Sequence, residues 1–300
     1  EAAEASSVSQ KAKKRGRDQV GTLGSGNHFL EIQKVVSLLD QKTASVYGLK
    51  EGQLVIMIHC GSRGLGHQVA TDYSNRALER CQKRGVKLAD KELAYIGFET
   101  GLGQDYFSAM AAAANYAWVN RQVITYRVRG AFENLLGTGA DGKLDLVYDV
   151  CHNIAKKERH KGRDLIVHRK GATRAFGPGR KEVPSKYQSA GQPVIIPGSM
   201  GTSSWVLKGT NQSEGLSFGS TAHGAGRQMS RNKARKKIHG SKLKEKLEKE
   251  GLVIKASSMR GLAEEGSYAY KNVNNVVDVV DKLGLAKKVA RLKPLAVIKG

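Results

Sequence analysis

Three hundred residues, 40% of them hydrophobic, suffice to bury a substantial core and suit one large domain or two ordinary ones. Fifty Lys and Arg against 27 Asp and Glu leave a formal charge of +23, an excess that steers polyanions and puts nucleic acid first among partners. Cys60, Cys81 and Cys151 are an odd set with no Cys-x-x-Cys pair, which speaks against a disulfide framework and for a reducing compartment, cytoplasmic or nuclear. No apolar run of roughly 18 residues and no signal-peptide pattern supports a membrane span or secretion. The opening residue is Glu1, so the chain is expected to be a processed or truncated piece.

Residues 11–17, Lys-Ala-Lys-Lys-Arg-Gly-Arg, read as a solvated helix or an arm reaching for phosphate, with a nuclear-localisation patch as the alternative. The glycine-rich turn at 21–26 leads into a short strand, where alternation sets His28, Leu30 and Ile32 opposite Asn27, Phe29 and Glu31. Leu54, Val55, Ile56, Met57 and Ile58 form a continuous apolar run, read as a buried strand, that empties into His59-Cys60-Gly61-Ser62-Arg63-Gly64-Leu65-Gly66-His67-Gln68. A strand feeding a glycine-rich loop and a helix presents ligand-binding groups at the strand's carboxyl end, although 61–66 is no Rossmann fingerprint.

Residues 69–135 carry a helical pattern and read as scaffold. Residues 144–151, Leu-Asp-Leu-Val-Tyr-Asp-Val-Cys, are a second β-like run, and it too ends in a histidine, His152. A further strand at 165–176 ends in a cationic hook that includes Arg169 and Lys170. The glycines and hydroxyls of 193–205 either offer backbone donors to a nucleotide or make a plain hairpin turn. Residues 227–249 are expected to be one or two strongly basic helices, with RNA contact favoured over a merely solvated face. After Tyr270 come a Val-rich helix and an apolar strand that carries Lys299. No repeat or linker interrupts the chain, so 1–300 is read as one catalytic body of the α+β class, with mixed sheets whose loops converge on histidines and helices outside.

His28, His59 and His152 each lie close to glycine or asparagine, and such a convergence suggests a transition metal. His67, His160, His168 and His239 have weaker contexts and read as structural or surface residues. His223 sits in Ser-Thr-Ala-His-Gly-Ala-Gly-Arg, where small neighbours leave room for a phosphorylated ligand to approach the ring. An imidazole nitrogen can attack phosphorus to form a phosphoramidate, with a nearby cation offsetting phosphate charge. Together with the basic surface, this composes into metal-dependent nucleotidyl transfer on nucleic acid.

The motifs Gly-Ser-Gly-Asn-His-Phe-Leu-Glu, His-Cys-Gly-Ser-Arg-Gly-Leu-Gly-His-Gln, His-Asn-Ile-Ala, His-Arg-Lys-Gly-Ala-Thr-Arg-Ala-Phe, Pro-Gly-Ser-Met-Gly-Thr, His-Gly-Ala-Gly-Arg and Ala-Val-Ile-Lys-Gly occur in that order over residues 11–300. In this the chain resembles the RtcB-type RNA ligases, the tRNA-splicing ligase family in its archaeal and eukaryotic form. The resemblance implies joining of an RNA 3′-phosphate or 2′,3′-cyclic phosphate to a 5′-hydroxyl with GTP and two manganese(II) ions, through a histidine-GMP intermediate and then an activated RNA 3′ end. It implies that His223 is guanylated and that His28, His59 and His152 ligate metal. It places Asn27, Phe29, Glu31, Asn153, Pro197, Gly198, Ser199, Met200, Ser204, Gly224, Ala225, Gly226 and Lys299 at guanylate-binding positions, with Tyr270 stacking on the base. Partners by the same resemblance are RNA with broken ends, such as tRNA halves, and the other subunits of a tRNA-ligase complex.

The family also carries, ahead of these motifs, an Asp-x-x-Cys-Gly sequence whose aspartate and cysteine complete the two-metal site, and no such sequence occurs in residues 1–300. The body is therefore expected to be N-terminally truncated relative to the family. Two other classes compete with the ligase: a non-catalytic RNA-binding scaffold that has lost the complete metal site, and a metal-dependent nuclease or phosphatase, which has no use for the contexts of His223 and Lys299.

Overall fold

A computed structural model describes residues 2–137, 139 and 143–300. The elements run α1 (Gln10–Gly16), β1 (Phe29–Leu38), α2 (Gln41–Tyr47), β2 (Leu54–His59), α3 (Arg63–Lys83), α4 (Gly101–Leu136), β3 (Asn153–His160), β4 (Arg163–Lys170), β5 (Ala172–Arg174), β6 (Pro193–Ile196), β7 (Ser204–Gly209), α5 (Gln212–Ser217), β8 (Ser220–Ala222), α6 (Arg231–Lys237), α7 (Gly240–Lys249), β9 (Val253–Ala256), α8 (Met259–Glu264), α9 (Val273–Lys282) and β10 (Ala286–Lys299). The fold is α+β. Of the described residues, those up to 24 and from 60 to 144 make one compact unit, and those from 25 to 59 and from 145 onward make a second. Each unit draws on two separated segments, so no linker-like composition marks the boundary between them.

The first unit is helical. Ser9 caps α1 by accepting the N–H of Ala12, and Val8 and Ala12 pack with Val69 and Tyr73 of α3 and Ala109 of α4. Thr100 caps the 36-residue α4, whose buried face is mostly alanine, the side chain that costs a helix least. Asn120 on that face is fully buried. Its Oδ1 accepts from the N–H of Gly21 at 2.7 Å, and its Nδ2 donates to the carbonyl of Gly61 at 3.1 Å. One carboxamide thus ties the segment that precedes β1 to the segment that follows β2.

The second unit is built on a sheet ordered β2-β1-β10-β7-β6, with β9 also paired to β10. All pairings are antiparallel except β9 with β10, so the sheet is mixed. β10 is the hub: it pairs with β1 from Ala290 to Ile298, with β7 over its first half and with β9 over its last four residues. Val273, Val277 and Val280 recur at helical spacing along α9 and bury against Val194, Ile196, Trp205 and Leu207 of the sheet. Each such burial contributes roughly 1.5–3 kcal/mol before chain entropy is counted. A second core joins Phe29, Val35, Met57 and Leu292 to Tyr47, Phe176 and Tyr187, and a third joins Leu243 and Leu247 of α7 to Ile254, Leu262 and Val297. Two small ribbons, β3 with β4 and β5 with β8, stand apart from the large sheet.

Three expectations change. Residues 144–151 form no strand; the ladder begins at Asn153, so His152 precedes a strand instead of ending one. The apolar run 54–58 is a strand, but an edge strand with Leu54 47% exposed, because β1 covers only one of its edges. The helical reading of 69–135 holds, as two helices, α3 and α4, separated at residues 84–100. Gly64 and Gly66 lie inside α3 and not in the glycine-rich loop expected after β2: a Cβ on Gly64 would come within 2.9 Å of the Arg15 carbonyl oxygen, so the glycine serves the close packing of α1 on α3. Among the described residues no helix is long and apolar enough to cross a membrane.

Candidate active site and metal centre

Four histidines enter the site from four strand ends of the second unit. His59 is the last residue of β2, opposite Phe29 in the register, and His28 immediately precedes Phe29. His152 immediately precedes β3. His223 immediately follows β8, whose Ala222 pairs with Ala172 of β5. Between β4 and β5, Gly171 adopts φ +65°, a left-handed conformation that a side chain would strain, and a Cβ there would sit 3.7 Å from the His223 ring. The Gly171 N–H donates to Asn153 Oδ1 at 3.1 Å, which draws the His152 and His223 segments together.

The rings meet closely. His59 Nε2 lies 3.1 Å from His152 Nε2, and His152 stacks on His223 with centroids 3.9 Å apart. One donor nitrogen from each of His59, His152 and His223 falls within 4.8 Å of the others. The His28 ring is 6.2 Å from that of His59. Burial holds His59, His152 and His223 below the usual imidazole range, His152 at about 4, and His152 and His223 each depress a histidine neighbour further. The rings are therefore neutral at pH 7, the state that both ligation and nucleophilic attack require. Nδ1 of His152 and Nδ1 of His223 are buried without a hydrogen-bonding partner. Neutral, converging imidazoles with orphaned nitrogens fit a divalent transition metal.

A second group lies on the large sheet. Glu31 and Gln33, two apart on β1, share a face and are both buried. Gln33 Nε2 donates to Glu31 Oε2 at 2.5 Å and to Ser204 Oγ at 3.0 Å, and Ser204 Oγ accepts the Gly198 N–H at 3.0 Å. Burial pushes Glu31 up to about 7, against the opposing pull of Gln33 and Lys299. Lys299, at the end of β10, is itself 7% exposed. Burial lowers its pKa, opposed by the charges of Glu265 and Glu31. Glu265 accepts from Arg227 at 3.1 Å, from Arg231 at 3.2 Å and from the Tyr270 hydroxyl. The Arg227 guanidinium lies 5.0 Å from the Tyr270 ring centre.

The 193–205 segment is indeed a hairpin, β6 to β7, closed by a turn in which the Thr202 N–H donates to the Ser199 carbonyl at 2.8 Å. Its Pro197, Gly198 and Ser199 lie next to Ser204, whereas the Met200 side chain buries with Leu243 and Leu247 in the third core. Phe29 is likewise a core residue, set edge-on to His59 at 5.3 Å. Asn27 is exposed, and Ala225 packs on the second core. Space is open where a Cβ would stand on Gly224 and on Gly226, so the approach to His223 along the Gly-Ala-Gly segment is clear. Gln33 and Glu265 escaped the sequence reading, and Arg227 entered it only as the end of the His-Gly-Ala-Gly-Arg motif and the start of a basic segment. Only Gln33 carried a usable signal, its period-two relation to Glu31.

The description "tRNA-splicing ligase RtcB" matches residues 1–300. The chain belongs to the tRNA-splicing ligase RtcB family. It is 54% identical over 298 residues to the tRNA-splicing ligase RtcB of Archaeoglobus fulgidus, a match covering 98% of this chain and 62% of that protein. It is 52% identical to the RtcB proteins of Thermococcus kodakarensis and Pyrococcus furiosus, matches that cover all of this chain but 63% and 32% of those proteins. The chain thus spans from about a third to under two thirds of the RtcB relatives it matches.

Proposed function

We propose that this chain carries the catalytic core of a GTP- and manganese(II)-dependent RNA ligase that joins a 3′-phosphate or 2′,3′-cyclic phosphate end to a 5′-hydroxyl end in tRNA splicing or RNA repair. The observation that carries this reading is the His223 ring: half-buried, held neutral, stacked on His152 and approachable along Gly224 and Gly226. An imidazole nitrogen of His223 attacks the α-phosphorus of GTP, pyrophosphate leaves, and the GMP so held passes to the RNA 3′ end. His28, His59 and His152 hold the metal. When bound there, manganese(II) offsets the charge of the triphosphate. Glu31, Lys299 and Ser204 line the guanylate site with Pro197, Gly198 and Ser199, and Tyr270 stacks on the base. Gln33 fixes the Glu31 carboxylate and the Ser204 hydroxyl in one orientation. A reducing compartment, cytoplasmic or nuclear, and partnership with tRNA-ligase subunits accompany the reading.

The test is incubation of the chain and of His223→Ala with GTP labelled at the α-phosphate and manganese(II), followed by a denaturing gel. Acid-labile label on the parent alone is expected. Label on both proteins would mean that another residue is the nucleophile, and no label on folded, manganese-loaded parent would favour the non-catalytic scaffold.

A further inference from the structure

The β3–β4 hairpin grows directly out of the histidine pair. His152 precedes its first residue, and Gly171, against the His223 ring, follows its last. Antiparallel register sets Asn153 opposite Lys170, Ala155 opposite His168, Lys157 opposite Ile166 and Arg159 opposite Asp164. Alternation turns these pairs to one face, and along it Lys157, Arg159, His168 and Lys170 are exposed. Between residues 153 and 170 there are seven Lys or Arg and two acidic residues. Both acids are engaged within the hairpin: Asp164 with Arg159 at 3.0 Å, and Glu158 with Arg169 at 2.7 Å. Seven basic against two acidic residues leave the hairpin a formal charge of +5, with histidine neutral.

The opposite face is locked. Glu158, His160 and Arg169 are buried, with Arg169 bidentate to Glu158 and His160 Nε2 at 3.0 Å from the same carboxylate. Arg169 also donates through Nε to Ser220 Oγ at 2.9 Å and through Nη2 to the Phe218 carbonyl at 3.0 Å, which fastens the hairpin to the start of the short strand that delivers His223. The ribbon is thus held in a fixed relation to the reactive ring. Side chains on one face of a strand recur every ~6.8 Å, a spacing that suits successive phosphates of an extended polynucleotide.

We propose that the outer face of the β3–β4 hairpin is the track along which the RNA strand ending in the 3′-phosphate reaches His223. The inference rests on the ligase reading, because in that reaction it is the 3′ end that receives GMP and so must come to His223. Its contacts are to phosphates and carry no base sequence, which suits an enzyme defined by the chemistry of the ends.

The deciding experiment compares the protein with Lys157→Ala/Arg159→Ala/Lys161→Ala and with a control, Lys42→Ala/Lys50→Ala/Lys293→Ala, which removes the same charge from exposed positions elsewhere in the same unit. Guanylation of His223 by GTP and manganese(II) reports on the ligase reading alone, and is expected to be unchanged in both variants. Affinity for a single-stranded RNA carrying a 3′-phosphate is expected to fall ~10-fold in the hairpin variant, with a salt slope shallower by roughly 2, and to change little in the control. Equal losses in the two variants, or a loss confined to the 5′-hydroxyl strand, would overturn the track. On the unaltered protein, a photo-crosslinking nucleotide near the 3′ end is expected to mark peptides within 153–170; marks that fall only elsewhere would also overturn it.

Discussion

Glu31 and His152 titrate in opposite senses. Glu31 has its pKa raised by burial from 4.5 to about 7, so the stability it contributes as a neutral acid is complete below pH 4.5 and is lost as pH rises through about 7. On the order of 3 kcal/mol is at stake. Burial, reinforced by His223, lowers His152 from 6.5 to about 4, so its contribution is present above pH 6.5 and is lost as pH falls through about 4. In the metal-free, nucleotide-free protein the two partly cancel. Glu31→Gln is expected to raise stability at pH 8 and to unmask a monotonic loss on acidification, which chemical denaturation at several pH values reads directly. At the metal site, His59→Ala and His152→Ala are expected to abolish manganese(II) uptake measured by equilibrium dialysis, while His223→Ala retains it. Loss of uptake in His223→Ala instead would make that ring a ligand.

Short elements carry the site, and their anchors are buried. Glu158→Ala leaves Arg169 charged, buried and unpaired, and is expected to cost about 3–5 kcal/mol in urea denaturation, because the β3–β4 ribbon has its inner face built on that pair. Gly240→Ala at the start of α7 would bring a methyl within 1.9 Å of the Met259 carbonyl oxygen, forcing α7 away from α8 at about 1–3 kcal/mol, seen as a lowered melting temperature. These anchors also explain what could be read in advance. The strand before His59 announced itself by its continuous apolar run, the two basic helices α6 and α7 by their charge and the final strand by its apolar residues, while the glycines and hydroxyls of 193–205 left a hairpin as one of two readings. The 144–151 stretch alternates as well as a strand does yet finds no ladder, since alternation reports which side chains are apolar and not whether a neighbour offers its backbone. Glu265 was invisible because its partners Arg227, Arg231 and Tyr270 lie between 5 and 38 positions away and share no period with it. The histidines were legible as reactive groups, but the stacking of His152 on His223 depends on two small ribbons that pattern alone does not join.

At the scale of the molecule, a formal charge of +23 makes polynucleotide affinity a matter of counterion release. With six to ten phosphates engaged, raising salt from 50 to 200 mM is expected to weaken RNA binding roughly 10³- to 10⁵-fold, measurable by fluorescence anisotropy; a flat salt response would contradict an electrostatic interface. β10 has a different reach. Leu30 finds its partner at Ile298, and the same strand delivers Lys299 beside Glu31. On a ribosome, the edge of β1 that faces β10 therefore waits for its partner while residues 39–285 are made, and no nascent chain that stops short of β10 can close the central sheet. β2, the native partner on the other edge of β1, can pair with it long before that. A translation product that stops before β10 is then inert as well as unfinished, since that one strand brings both the hub of the sheet and a cation of the site.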